Sequence, residues 1–274
     1  MDLLHAIIFG IIEGITEFLP VSSTGHLTIA EKLLGYDIRD PAMTAFTAFI
    51  QIGATVATLV YFREDIWRVL TAWLKGVMGG KRTGADYRMG WAIIVGSIPI
   101  AIVGLLFKDY IETGLRSLWF VAAGLLIWSA VMYWVEKHAS QQRKELSTTW
   151  RDTLFVGAVQ CLALVPGVSR SGATISASLF KGFDRVTATR LSFFLSIPAL
   201  LAAGVLQGIT RADNIGDNIG WSATLIATVV SFVVAYASIA WLLRYIATHS
   251  FKNFIIYRVA LGVSLVVLLT TGVL

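Results

Sequence analysis

Six long apolar segments limit this chain to a small set of folds. They are residues 42–62, 91–107, 118–135, 190–207, 221–243 and 254–274. Each is long enough to cross the hydrocarbon core of a bilayer as a helix. Only 14% of the 274 residues are charged, whereas a soluble protein has about a quarter. Because backbone polar groups in lipid must be satisfied internally, the segments predict an all-α polytopic membrane protein.

The loops between these segments carry an uneven charge. Lys and Arg concentrate in residues 63–90, 136–152 and 244–253, whereas 108–117 is charge-balanced and 208–220 is weakly acidic. The positive-inside rule therefore places the first three loops in the cytoplasm and the last two outside. The formal net charge of +5 is explained by these loops, so it does not indicate a nucleic-acid partner.

Two further apolar stretches do not cross the membrane in this scheme. Residues 1–41 must begin and end outside, and residues of about 153–188 must begin and end inside, because the flanking spans have fixed directions. Each stretch contains a Pro and Gly break. Broken backbone is tolerated at membrane depth only where protein or water covers it. Both stretches are therefore predicted to be re-entrant helical hairpins.

The two hairpins are related in sequence. A shift of 147 residues, which places Gly10 on Gly157, aligns GIIEGITEFLPVSSTGH with GAVQCLALVPGVSRSGA without a gap. Each half is then one hairpin followed by three spans, and because three is odd the second half must insert upside down. The sequence thus predicts an inverted-topology repeat, residues 1–140 and 141–274, with a site between the halves.

The break in the first hairpin carries two acids and several hydroxyls. Glu13 and Glu17 are four positions apart, so they share one face of a helix. Pro20 ends that helix, and a hydroxyl within residues 22–24 is predicted to cap a new helix from near Gly25. Serine and threonine in membrane helices are often only packing residues, whereas ionisable residues there are usually functional.

The second hairpin repeats this break and adds a cation. Arg170 follows Pro166 by four positions, and a new helix is predicted from about Ala173. Two helix N-termini would then point toward the protein centre, where their free N–H groups favour an anion such as phosphate. The guanidinium of Arg170 matches phosphate oxygens in geometry and charge.

Two carboxylates as close as those of Glu13 and Glu17 repel each other and a phosphate. A divalent cation, Mg²⁺ or Ca²⁺, would resolve the conflict by bridging carboxylate and phosphate oxygens. A thiolate cage is excluded, since the chain has one cysteine. A hydroxyl nucleophile with His26 as its base, and Arg170 on the phosphoryl oxygens, would make a phosphoryl-transfer site. The spacing alone leaves catalysis and transport both open.

The two motifs resemble the signatures of a known family. They are EGITEFLPVSSTGH, residues 13–26, and PGVSRSGAT, residues 166–174, and the chain is similar over essentially its whole length to bacterial undecaprenyl-pyrophosphate phosphatases, the bacitracin-resistance proteins. The resemblance implies a multi-pass enzyme of the bacterial inner membrane with its site facing the periplasm. It would remove the terminal phosphate of a polyprenyl pyrophosphate lipid, which recycles the carrier for peptidoglycan synthesis and confers bacitracin resistance.

The resemblance also implies a role for each motif residue. Glu13 and Glu17 would bind the divalent cation. Ser23 would be the nucleophile, His26 its acid–base partner and Arg170 the clamp on the phosphate. The other implied substrate-binding residues are Ser22, Thr24, Ser169, Ser171 and Thr174.

Several alternatives stay open at the level of sequence. The second repeat has Leu164 and Ala173 in place of Glu17 and His26, so the chemistry is expected on the first repeat and phosphate clamping on the second. Direct attack by His26, or attack by a metal-bound water, fits the same residues as attack by Ser23. A lipid-phosphate flippase or transporter at the same site is the alternative function. The sequence does not decide between a monomer and a homodimer; membrane lipids are the other expected partners.

Overall fold

The computed structural model describes residues 1–80, 82–107 and 110–274. The first helices are α1 (Leu3–Thr16), α2 (Ser23–Leu33), α3 (Pro41–Tyr61), α4 (Arg63–Val77), α5 (Ala85–Leu106) and α6 (Leu118–His138). The later ones are α7 (Trp150–Gln160), α8 (Arg170–Phe180), α9 (Arg185–Thr210), α10 (Ala212–Asn214), α11 (Trp221–Ile246) and α12 (Lys252–Thr270). Short 3₁₀ or π turns lie at Tyr110–Gly114, Glu145–Ser147, Cys161–Leu164 and Ile215–Ile219. None of the described residues forms a strand, which confirms the all-α prediction.

Six helices are long and apolar enough to cross a membrane, namely α3, α5, α6, α9, α11 and α12. They coincide with the six predicted segments, so a multi-pass membrane protein is confirmed. Two of them begin earlier than predicted, α5 at Ala85 and α9 at Arg185. Their first turns are polar and form ion pairs with neighbouring segments, for example Arg185 with Glu136 at 2.7 Å. An apolar segment therefore underestimates the length of its helix.

Helix α4 corrects the prediction that residues 63–90 form a loop. Glu64 and Asp65 lie in its first turn and Lys75 in its last, the arrangement that the helix dipole favours. Charged residues alternate with apolar ones such as the exposed Trp67, so the segment is amphipathic rather than uniformly apolar. A search for membrane-spanning segments misses such a helix for this reason.

Two broken pairs of short helices stand where the re-entrant hairpins are predicted, α1 with α2 and α7 with α8. At the open end of the first hairpin, the amino terminus of Met1 donates to the carbonyl of Ile219 at 2.9 Å. At the open end of the second, the N–H of Arg143 donates to the carbonyl of Gly182 at 2.9 Å. The two hairpins therefore open toward different groups of loops.

Glycines bring each hairpin against a span from the other part of the chain. Helix α1 packs on α11, and α7 packs on α5. A Cβ on Gly157 would lie 1.9 Å from the carbonyl oxygen of Gly96, and one on Gly10 would lie 2.5 Å from that of Ala227. Small residues permit such close backbone contact between membrane helices. The upside-down insertion of the second half, with a boundary near residue 140, stays a prediction.

Candidate active site

Three predicted site residues meet at the two breaks. The hydroxyl of Ser23 donates to Oε2 of Glu17 at 2.5 Å. Arg170 donates to the other oxygen of the same carboxylate, from Nη2 at 3.1 Å and from Nε at 3.3 Å. Glu17 is buried, and Arg170 is 11% exposed. One carboxylate thus joins a hydroxyl of the first hairpin to a guanidinium of the second.

Each break ends in a serine with an unusual backbone. Ser22 has a φ of 78° and Ser169 a φ of 76°, a region that residues with a side chain rarely adopt. The hydroxyl of Ser22 accepts from the N–H of Gly25 at 3.2 Å, and that of Ser169 from Gly172 at 3.1 Å. Each serine therefore caps the helix that follows it.

These caps start both helices earlier than the sequence predicted. Helix α2 begins at Ser23 rather than near Gly25, and α8 begins at Arg170 rather than about Ala173. Ser23 and Arg170 consequently lie in the first turns of their helices. N–H groups without an intrahelical partner and the positive end of the dipole occur there, which favours a bound anion.

The remaining predicted pocket residues fall into two groups. Those that line the cavity described below are Ser22, Thr24 and Ser169. Ser171 and Thr174 are fully buried. The Ser171 hydroxyl donates to the carbonyl of Leu19 at 2.9 Å, and the Thr174 hydroxyl donates to Ser192 Oγ at 2.7 Å. Their hydrogen bonds join protein segments, and their role in binding substrate stays a prediction.

Glu13 lies one helical turn before Glu17 and is fully buried. Within the part of the chain that the structure describes, neither of its carboxylate oxygens has a hydrogen-bond partner. A buried carboxylate without a partner is costly, so this group suits a ligand that brings positive charge. No group of three or more His, Cys, Asp or Glu residues in the described part is placed to hold a metal. A cation at Glu13 would need other oxygen ligands as well.

His26 is turned away from the Ser23 hydroxyl. Its Nδ1 lies 2.7 Å from the carbonyl oxygen of Ser22, and its Nε2 lies 2.6 Å from the hydroxyl of Tyr257. A carbonyl oxygen can only accept, so Nδ1 is the donor, and in a neutral ring Nε2 accepts from Tyr257. The ring also stacks on that of Tyr257, with centroids 5.6 Å apart. Both nitrogens are therefore occupied by groups other than the predicted nucleophile.

A cavity of about 420 Å³ opens from the site and runs between α3, α5 and α9. Glu17, Ser23 and Arg170 form part of its polar end. The remainder is lined mainly by small or apolar residues, which include Ile100, Ala101, Gly104, Ala199, Ala202 and Leu206. The volume is in the usual range for a small-molecule site. Its form suits a ligand with a charged head and a hydrocarbon tail.

Some residues around the site were missed in the sequence. Gln51 on α3 and Ser97 on α5 line the cavity, and Tyr257 holds His26. Gln51 was detectable in principle, since it is a polar residue inside a long apolar segment. Tyr257 gave no such signal, because an aromatic residue near the end of a membrane helix is ordinary.

Comparison with known proteins gives a consistent result. The family described as bacitracin resistance protein BacA matches residues 6–264. Undecaprenyl-diphosphatase 3 of Frankia casuarinae is 60% identical over 274 residues, which cover 100% of this chain and 99% of the relative. The undecaprenyl-diphosphatase of Cutibacterium acnes is 53% identical over 100% of this chain and 99% of its own, and that of Acidothermus cellulolyticus is 51% identical over 99% and 98%.

Proposed function

This chain belongs to the bacitracin resistance protein BacA family and is a membrane undecaprenyl-diphosphatase, and we propose that Ser23, Glu17 and Arg170 carry out its reaction. The reaction converts undecaprenyl diphosphate into undecaprenyl phosphate and inorganic phosphate. The observation that carries the proposal is the 2.5 Å hydrogen bond from the Ser23 hydroxyl to Glu17. A serine hydroxyl is a weak nucleophile, and an adjacent base that accepts its proton activates it.

In the proposed first step, the Ser23 oxygen attacks the terminal phosphorus while its proton moves to Oε2 of Glu17. The bond between that phosphorus and the bridging oxygen breaks, and Glu17 passes the proton to this oxygen as undecaprenyl phosphate leaves, so its carboxylate can act as a base again. In the second step Glu17 takes a proton from a water molecule, which attacks the phosphoserine and releases inorganic phosphate. Glu17 then returns the proton to the Ser23 oxygen, so the enzyme is regenerated.

Arg170 stabilises the transferred phosphoryl group in this proposal. Its guanidinium donates to Glu17 at 3.1 Å and to the carbonyl of Ser192 at 3.2 Å, so it is held close to the attacking oxygen. Phosphoryl transfer depends mainly on positioning and on neutralising the phosphoryl oxygens. The N-termini of α2 and α8 add N–H donors and positive dipole on the same side.

Ser23 is favoured over the two other nucleophiles that the sequence left open. His26 is engaged through both ring nitrogens, with the Ser22 carbonyl and with Tyr257, so attack by its ring would first require both bonds to break. Attack by water alone would leave the short contact between Ser23 and Glu17 without a role. We assign His26 to holding the break rather than to acid–base chemistry.

We propose further that Glu13 and Glu17 hold a divalent cation, Mg²⁺ or Ca²⁺. The support is the buried Glu13 carboxylate, because neither of its oxygens has a hydrogen-bond partner among the described residues. Magnesium commonly binds through one or two carboxylates together with substrate phosphates and water, which fits so small a set of acidic ligands. When bound, the cation would neutralise charge on the diphosphate.

The substrate is proposed to enter from the outer face. The cavity reaches Ile111 and Leu206, close to the two loops that the charge bias places outside. Arg116, in one of these loops, donates to the carbonyl of Ile38 at the open end of the first hairpin. The isoprenyl chain would lie along α5 and α9 with its diphosphate at Arg170. This arrangement suits the bacterial inner membrane with the site facing the periplasm, and a single chain supplies every group, so no homodimer is required.

A lipid-phosphate flippase that uses the same site is the alternative. The contact of Ser23 with Glu17 favours hydrolysis, because a carrier has no need of an activated hydroxyl. Purified protein in vesicles would separate the two activities. Transfer of labelled undecaprenyl phosphate across the bilayer at an equal rate in wild type and Ser23→Ala would indicate a carrier function independent of the chemistry.

The decisive experiment measures phosphate release from undecaprenyl diphosphate in detergent by wild type, Ser23→Ala and a control. We expect Ser23→Ala to lose activity on the order of a thousandfold or more, as when other covalent nucleophiles are removed. The control is Ser178→Ala, a fully buried serine on α8, which should keep wild-type turnover. Acid-quenched wild type should also yield phosphoserine at position 23. Near wild-type turnover by Ser23→Ala would eliminate the proposed nucleophile.

A further inference from the structure

Arg258, on α12, is a cation buried at the centre of the protein. Its side chain is fully inaccessible to solvent. Its partners are Ser129 Oγ at 3.1 Å and the carbonyl oxygens of Pro20 at 3.2 Å, Gly124 at 3.3 Å, Leu125 at 3.4 Å, Gly167 at 2.9 Å and Val168 at 3.2 Å. All six are neutral groups. Among the described residues Arg258 has only these neutral partners, and a buried charge in such surroundings is expensive, which points to a role that compensates for the cost.

The carbonyls that Arg258 binds belong to both breaks. Pro20 lies in the break of the first hairpin, three residues before Ser23. Gly167 and Val168 lie in the break of the second, and Val168 is two residues before Arg170. One guanidinium therefore holds together the two segments that carry the attacking hydroxyl and the phosphate clamp.

An arginine is well matched to this task. Helix breaks leave backbone carbonyls without intrahelical partners, and such carbonyls cannot turn to water at membrane depth. A guanidinium offers five N–H donors in one rigid plane, whereas a lysine ammonium offers three on a flexible stem. Carbonyls of three segments, namely the two breaks and α6, can thus accept hydrogen bonds from one side chain.

Holding these carbonyls also fixes the backbone of a capping serine. The Val168 carbonyl and the Ser169 N–H belong to one planar peptide group, so the bond from Arg258 sets the direction of the Ser169 backbone. Ser169 is one of the two serines with a positive φ. Such a conformation persists only where the surrounding structure enforces it, and Arg258 supplies part of that enforcement next to Arg170.

We propose that Arg258 is a positioning residue for the diphosphatase reaction, which sets the distance between Ser23 and Arg170 by clamping both breaks. The inference rests on the proposed roles of those two residues. A positioning role acts mainly on turnover, because a misplacement of about 1 Å at reacting groups costs on the order of a hundredfold in rate. Simple loosening of the protein would act on stability instead.

The experiment compares Arg258→Lys and Arg258→Ala with a control on the same helix, Leu265→Ala. Leu265 is 2% exposed and packs on Leu118, Val121 and Leu125, so its truncation loosens α12 without removing a bond to the breaks. For each variant, kcat and KM for undecaprenyl diphosphate and the thermal unfolding midpoint are measured. Ser23→Ala is included as the inactive reference.

We expect Arg258→Lys to fold and to lose kcat on the order of tenfold to a hundredfold, with KM within about threefold of wild type. Leu265→Ala should lower the unfolding midpoint at least as much while it keeps its kcat. Added guanidinium ion at a non-denaturing concentration should restore part of the kcat of Arg258→Ala and leave Leu265→Ala unchanged, since only the former lacks a guanidinium.

Three results would overturn the proposal. The first is a wild-type kcat in Arg258→Lys, and the second is an equal loss of kcat in Leu265→Ala. The third is failure of Arg258→Lys to fold while Leu265→Ala folds, which would assign Arg258 to stability alone. Failure of the proposed catalytic roles is recognised separately, because Ser23→Ala would then turn over like wild type.

Discussion

Glu17 receives hydrogen bonds from both hairpins, so a single carboxylate links the two breaks. Ser23 occupies one carboxylate oxygen and Arg170 the other. Removing one partner of a buried ion pair commonly costs about 3–5 kcal/mol, because the other charge is left uncompensated. Substitutions at Arg170 or Glu17 are therefore expected to lower stability as well as turnover, so the unfolding midpoint should be measured together with the activity of each variant.

Glu13 gives a prediction about the cation. We expect Mg²⁺ or Ca²⁺ to raise the unfolding midpoint of wild type and a chelator to lower its phosphate release. Glu13→Gln, which removes the charge but keeps the shape, should need roughly 10–100-fold more cation for half-maximal activity, the usual cost of disturbing a metal site. The unfolding midpoint of Glu13→Gln should change little when the cation is added. This measurement does not depend on enzyme activity.

The matched control is Glu31→Gln. Glu31 is also buried, at 1% exposure, but it lies near the end of α2, eight positions after Ser23, whereas Glu13 is one helical turn from Glu17. The cation dependence of Glu31→Gln should equal that of wild type. The metal proposal would be wrong if wild type kept full activity in the presence of a chelator and its unfolding midpoint did not change when the cation was added.

At the residue scale the sequence indicated the residues of the candidate site more readily than the residues that hold them in place. The acids, the serine and Arg170 stood out because ionisable groups and hydroxyls cluster in two repeated motifs inside apolar segments. Arg258 was missed although it is an ionisable residue inside the predicted segment 254–274. Its partners lie 90 to 238 positions away along the chain, so no local pattern indicates what it binds. The orientation of His26 could likewise not be predicted from the sequence, since it is set by Tyr257 on the last helix.

At the scale of elements, the interface between α7 and α5 includes a very close backbone contact at Gly157. A Cβ added to Gly157 would lie 1.9 Å from the Gly96 carbonyl, so Gly157→Ala must separate the helices. We expect a loss of about 1–3 kcal/mol in unfolding free energy, as for overpacked cores. Reversible unfolding in mixed micelles would measure it.

Gly104→Ala is the control for this prediction. Gly104 is also helical, in α5, but a Cβ there meets no atom of the described residues within 4 Å. The same substitution should therefore be neutral, or stabilising by about 0.4–1 kcal/mol through the unfolded chain. Equal effects at the two glycines would show that helix propensity, and not the close contact, decides the outcome.

Elements were predictable where one physical rule dominated. Membrane-length apolar segments gave the six spanning helices, and Pro with Gly gave the two breaks. Helix α4 was missed because its amphipathic pattern resembles a charged loop when only apolarity is considered. The first residues of α2 and α8 were misplaced because the capping serines adopt a positive φ that composition does not reveal.

For the whole molecule, the orientation in the membrane can be tested with single cysteines. In a Cys161→Ser background, Asp213→Cys lies in the loop expected outside and Gln142→Cys in a loop expected inside, and both positions are exposed. A membrane-impermeant maleimide applied to intact cells should label position 213 and leave position 142 unlabelled. Permeabilised cells should label both, which serves as the control for reactivity. Labelling of position 142 in intact cells would reverse the predicted topology.

The packing of α1 on α11 has a consequence for how the protein is made. Helix α1 leaves the ribosome before its partner α11, which begins at Trp221 and follows roughly 10–40 s of synthesis later. During this interval Glu13 of α1 is in the membrane without the helix on which α1 will pack. The proposed site is therefore expected to assemble only after α11 has been inserted, so a ribosome that stops before Trp221 would leave a chain that has both motifs but no activity.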